Sequence, residues 1–153
     1  SRHFPKGEGA GLYLEVAPAW VWIGGGLYMP SSTDLHVIRG HIAAHHRKFH
    51  RIVTGAEFRR AVGTLGGEQL SRVPRGYLKD HPAANYLRYK QYLGGREFEA
   101  EFATSPRFYP QLLQVFKGVV PLVRFLNDAL LADASPRQAR RQIVAHLEGP
   151  APR

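Results

Sequence analysis

Apolar side chains recur at every second position over Leu12, Leu14 and Val16, with Tyr13 and Glu15 between them. That is the alternation of a strand. After Ala17-Pro18-Ala19 comes Trp20-Val21-Trp22-Ile23, aromatic and branched residues that suit a pleated surface. Two such runs around a short loop predict a hairpin, whose second strand runs into Gly24-Gly25-Gly26. The period then changes. Wound at about 100° per residue, Leu35, Ile38, Ile42, Phe49, Ile52 and Val53 fall in one arc about 100° wide, and Arg39, Arg47, Lys48, His50 and Arg51 fall outside it. With Ser31, Ser32 and Thr33 as candidate N-caps, the spacing predicts one amphipathic helix over 33–53, or two with a break near His45. A short helix over 56–62 follows Gly55.

Residues 63–80 carry Gly66-Gly67, Pro74 and Gly76 and read as a loop. Pro82 suits the first turn of a helix over 82–90. Strict alternation over 96–102 predicts a strand with Phe98, Ala100 and Phe102 inward and Glu97, Glu99 and Glu101 outward. The apolar stretch 106–132 reads as two helices divided by Gly118 and Pro121, since an internal proline loses a hydrogen bond and clashes with the turn before it. Ser135-Pro136 opens a last basic helix over 133–148, with Ala139, Ile143 and Leu147 on one stripe and Arg137, Arg140 and Arg141 elsewhere. An irregular entry over 1–9 and a frayed tail over 149–153 complete the chain. The expected fold is a single α+β domain over 1–153: an antiparallel sheet with a central aromatic hairpin, packed against several amphipathic helices. Its expected core is Leu14, Val16, Trp22, Ile38, Ile42, Phe49, Phe98, Phe102, Leu113, Phe116, Leu122, Phe125 and Leu126.

Composition narrows the class. A chain of 153 residues, 44% hydrophobic and 22% charged, has the length and apolar content of one globular domain. With no cysteine it holds neither a disulfide framework nor a thiolate zinc site. The net charge of +9 favours polyanionic partners, nucleic acid among them. The start lacks the apolar core of a signal peptide. The uncharged run 16–33 is broken by Pro18, the glycine triplet and Pro30, so it does not span a bilayer. A cytoplasmic protein with no membrane partner is the expectation.

Few constellations carry chemistry. No GK[ST] follows the glycine triplet and no G-x-G-x-x-G stands between strand and helix, so the triplet reads as a bulge or a backbone crowded by a neighbour. His41/His45 and His46/His50 have metal-ligand spacing, but no glutamate follows the first histidine and no third ligand is near. A solvated polar face accounts for them, and no metal or cofactor is expected. Glu97, Glu99 and Glu101 likewise suit an exposed strand face. The richest segment is 72–96, where Arg72, Arg75, Lys79, Arg88, Lys90 and Arg96 interleave with Tyr77, Tyr86, Tyr89 and Tyr92. Cations neutralise phosphates and flat rings stack on bases. The candidate anion-binding residues are Arg72, Arg75, Lys79, His81 and Lys90.

The order of several pieces carries a family resemblance: Gly11-Leu12-Tyr13-Leu14; Gly24-Gly25-Gly26-Leu27-Tyr28-Met29-Pro30; Leu70-Ser71-Arg72-Val73-Pro74-Arg75-Gly76-Tyr77; Asp80-His81-Pro82; Leu87-Arg88-Tyr89-Lys90; and Pro121-Leu122-Val123-Arg124-Phe125-Leu126. Over about 10–132 the chain resembles the bacterial domain-of-unknown-function 2461 family. The resemblance implies an α+β domain with no assigned catalytic residues. It also implies that the family's N-terminal third, a helical region and a basic strand, is missing, and that the basic helix over 133–148 is an addition. The leading functional expectation is a basic binding module for a phosphate-bearing partner, nucleic acid or an anionic ligand. The alternatives are an enzyme acting on a small anionic substrate held by the same five residues, and an interaction domain that docks through its C-terminal helices.

Overall fold

The computed structural model describes residues 9–147. The expected irregular entry, the frayed tail and the side chains of the expected last helix fall outside what is described. Three strands, β1 (Gly11–Val16), β2 (Trp20–Leu27) and β3 (Tyr92–Glu99), form an antiparallel sheet in the order β1-β2-β3. Helices α1 (Ser32–Ala44), α2 (His46–Thr54), α3 (Ala56–Val62), α4 (Ala84–Leu87) and α5 (Phe108–Leu147) complete it. The fold is α+β, as the alternation and the 3.6-residue spacing imply.

Parity decides which strand residues meet the helices. On β2, Val21, Ile23 and Leu27 are buried, as is Tyr92 opposite Leu27 on β3. The helical layer supplies Ile38 and Ile42 from α1, Phe49 and Val53 from α2, Phe58 and Ala61 from α3, and Val115, Val119, Leu122, Phe125 and Leu126 from α5. Ser31 caps α1, its Oγ accepting from the amide of Asp34 at 3.0 Å. The helical stretch 32–54 breaks at His45, whose backbone (φ −120°, ψ 33°) leaves the helical region.

Four expectations are corrected. Leu14, Val16 and Leu113 are exposed, and Trp22 is half-buried. Leu14 pairs with Ile23 and Val16 with Val21, so they stand on the helix-facing side of the sheet. The helices cover β2 but leave Leu14 and Val16 of the edge strand open to solvent. Trp22 stands on the opposite face, which no helix of the described residues covers.

The strand expected over 96–102 begins earlier and ends earlier. Past Glu99 the chain turns into a 3₁₀ helix, Ala100–Thr104. Phe102 therefore leaves the sheet and stacks on Phe98, ring centroids 4.5 Å apart.

The division of 106–132 does not occur, and neither does a separate last helix: α5 runs unbroken through Gly118, Pro121 and Ser135-Pro136. Pro121 removes one amide and frees the carbonyl of Lys117. Both residues are exposed, so water can replace the lost bond. Gly118 is buried at the α3 crossing, where an added Cβ would collide with the Cβ of Ala61. It serves helix contact rather than helix termination.

The helix over 82–90 shrinks to α4. Residues beyond it pair instead with the preceding loop, through Leu70 N to Arg88 O (2.8 Å) and Lys90 N to Glu68 O (2.7 Å).

Candidate anion-binding site

Helix α2 carries the sequence His46-Arg47-Lys48-Phe49-His50-Arg51, with no acidic residue. Phe49 anchors it, fully buried, with Tyr86 at 5.0 Å, Phe125 at 5.2 Å and Tyr92 at 6.0 Å between ring centroids. Burying Phe49 fixes the helix's rotation. Lys48 turns toward α5, 5.7 Å above the ring of Phe125. His46, Arg47, His50 and Arg51 are left on a flank that faces the 82–86 segment, and with Pro82 and Tyr86 they line a concavity of ≈ 560 Å³.

His50 and Tyr86 close one side, Nδ1 and Oη 2.6 Å apart. Burial, helped by nearby Tyr89, raises the Tyr86 phenol above its usual value, against a weaker opposing pull from Arg59. Tyr86 therefore stays a phenol at neutral pH, and which of the pair donates is set by the tautomer of His50. At the other end the His46 and His81 rings meet edge to face at 6.2 Å. His81 Nδ1 accepts from the amide of Ala83 at 3.0 Å, so this ring is held by the turn that starts the 82–86 segment. Arg47 and Arg51 form no ion pair with any described residue. Two guanidiniums one helical turn apart, two imidazoles and a phenol make a donor-rich, positive concavity suited to an anion.

Family membership can be placed beside this geometry. Residues 1–125 match the family described as Conserved hypothetical protein (DUF2461). The chain belongs to the DUF2461 family. No curated protein and no solved structure matches it.

In this DUF2461 chain the residues singled out from the sequence are dispersed. Arg72, Arg75 and Lys79 are exposed on the loop between α3 and α4. Lys90 pairs with Glu68 at 3.2 Å, both side chains largely solvated, a contact of little energetic weight. None of the five lines the concavity, and of them His81 alone touches one of its lining residues, His46. The tyrosines between them are occupied: Tyr89 donates to Leu65 O (3.3 Å) and Tyr92 to Tyr86 O (3.0 Å). Arg88 Nε donates to Leu70 O (2.8 Å) and Arg39 Nη2 to Tyr89 O (2.9 Å). The aromatic-basic interleaving thus holds the loop onto β3 and α1. What the sequence reading passed over is the cationic flank of α2. Its signal was present: Arg47/Arg51 and His46/His50 at four-residue spacing in a helix without a carboxylate. Among the described residues no group of three or more His, Asp or Glu side chains is arranged to hold a metal ion.

Proposed function

We infer that this domain is a binding module for a phosphate-bearing partner, and that α2 and the 82–86 segment grip it. One observation carries the reading: Arg47 and Arg51, free of described acidic partners, share a concavity with His46, His50 and the Tyr86 phenol. Guanidinium groups present a planar fork that matches phosphate oxygens two at a time, and the His50–Tyr86 pair keeps one N–H or O–H free to donate beside them. The net charge of +9 adds a field that draws polyanions toward the surface. Arg75 and Lys79, exposed on the loop that leads to His81, would extend the track. Nucleic acid in the cytoplasm of a bacterium is the setting this reading expects. Among the described residues no helix is long and apolar enough to cross a membrane.

Titration of labelled single- and double-stranded oligonucleotides at increasing salt tests it. Each phosphate neutralised contributes about 0.7–0.9 to the slope of log K against log salt. The Arg47→Ala/Arg51→Ala double variant should therefore weaken binding and flatten that slope by about 1.4–1.8. Changing Arg72, Arg75 and Lys79 together should have a smaller effect. No binding by micromolar protein at low salt, or an unaltered slope in the double variant, would refute the reading.

A further inference from the structure

The sheet face turned away from the helices bears a different chemistry. Register places Trp22 on β2 directly between Glu15 on β1 and Glu97 on β3, and Trp20 beside Glu99. The next row of that face holds Tyr13, Gly24 and Gly95, and Leu93 follows beyond Gly26. The two glycines are a floor: a Cβ on Gly95 would collide with the indole of Trp22, and one on Gly24 would meet the ring edge at 2.6 Å. The indole therefore lies over bare backbone while the residue stays half-exposed. Tyr13, Glu15, Trp20, Trp22, Tyr28 and Glu97 line a groove of ≈ 500 Å³ there. Burial raises the Tyr13 phenol above its usual value. Glu15, Glu97 and Glu99 make no ion pair with any described residue.

We propose that this groove binds an organic cation of the alkylated-ammonium class, its head over the indole of Trp22 between the carboxylates of Glu15 and Glu97. The face of an aromatic ring is electron-rich and attracts a cation, most strongly at tryptophan, and weakly hydrated ammonium heads give up their water most readily. A quaternary head has no N–H to donate, so rings plus unpaired carboxylates are the partners it needs. Phosphate-bearing ligands are disfavoured, because three carboxylates cluster on this face of a chain whose net charge is +9. The volume falls in the range of pockets for small molecules, so room remains for an apolar body behind the head.

The chain's 2 tryptophans both line the groove, so intrinsic emission reads occupancy directly. The probes are choline, its neutral isostere 3,3-dimethylbutanol, and cellobiose as a neutral sugar that also stacks on indoles. Choline should produce a saturable change with a dissociation constant on the order of millimolar, and the isostere should bind at least about fivefold more weakly. Glu15→Gln/Glu97→Gln, at exposed positions, should weaken choline about three- to tenfold while leaving the circular dichroism melt in place. The Arg47→Ala/Arg51→Ala variant should bind choline normally, so this site and the basic concavity fail independently. Equal binding of the isostere, tighter binding of cellobiose, or no saturable response to choline up to about 0.1 M each overturns the proposal.

Discussion

His41 projects from α1 onto Phe125 and His45, ring centroids 4.6 and 4.5 Å away. Burial lowers its pKa below the ordinary 6.5; His45 and Lys48 push the same way and Asp128 opposes them. The neutral imidazole is thus the form the fold accommodates. Between the depressed folded value and 6.5 the unfolded chain binds more protons than the folded one, so stability rises with pH across that window. His41 lends its stability in full above pH 6.5 and loses it as pH falls through the folded value. Thermal melts from pH 7.5 downward should show the wild type weakening on acidification, and His41→Gln should flatten that acid limb. An equally steep limb in the variant would assign it to other groups. At this scale the sequence was a fair guide for most residues that a helix supplies, exposed Leu113 on α5 being an exception. Ile38, Ile42, Phe49, Leu122, Phe125 and Leu126 were expected inside and are buried. Arc position on a helix reports which side faces the core, and each of these helices has the core beneath it. His41 itself was legible only as one of several histidines, because its partner Phe125 lies 84 residues further along.

Strands obeyed parity without obeying burial, which marks where element-level reading stops. Leu14 and Ile23 are register partners on the same face, yet Leu14 is 48% exposed and Ile23 fully buried. Alternation says that two side chains share a face and is silent on whether a helix covers both. Chemical denaturation should separate them: Ile23→Ala should cost about 2–5 kcal/mol, and Leu14→Lys less than about 0.5 kcal/mol. The lysine should also blunt β1, an edge strand whose apolar side chains would otherwise invite pairing. Prolines misled for a related reason. A proline breaks a helix when nothing can replace the lost hydrogen bond, and at Pro121 the freed carbonyl belongs to exposed Lys117, within reach of solvent. Glycine 118 looked like a break and is a contact point instead. Gly118→Val should therefore drive α3 and α5 apart and destabilise by about 1–3 kcal/mol, although valine is the better helix former. A neutral or stabilising result in the same denaturation series would mean that the crossing yields easily.

Considered whole, the described residues form a sheet with one face committed to packing and the other left open, with a cationic helix on the first and a carboxylate cluster on the second. Helix α2 places Arg47 and Arg51 on the helical layer, while Glu15, Glu97 and Glu99 lie on the bare sheet face. This division was hidden in the sequence. Net charge sums over both faces, and Glu15 lies 82 residues before Glu97, so only register brings them beside one tryptophan. It has a consequence for how polyanions would bind. A helix is about 10 Å across, and the screening length near physiological salt is about 8 Å, so each face should act on its own ligand. Glu15→Gln/Glu97→Gln and Arg47→Ala/Arg51→Ala change the net charge by equal and opposite amounts. If overall charge alone governed oligonucleotide affinity, the first pair would tighten binding as much as the second loosens it. If α2 makes the contacts, the glutamine pair should move affinity less than about twofold at 0.15 M salt, and the alanine pair should lower it about tenfold or more. Parallel titrations of both variants at that salt distinguish a local grip from a diffuse field, because only the local grip breaks the symmetry between them.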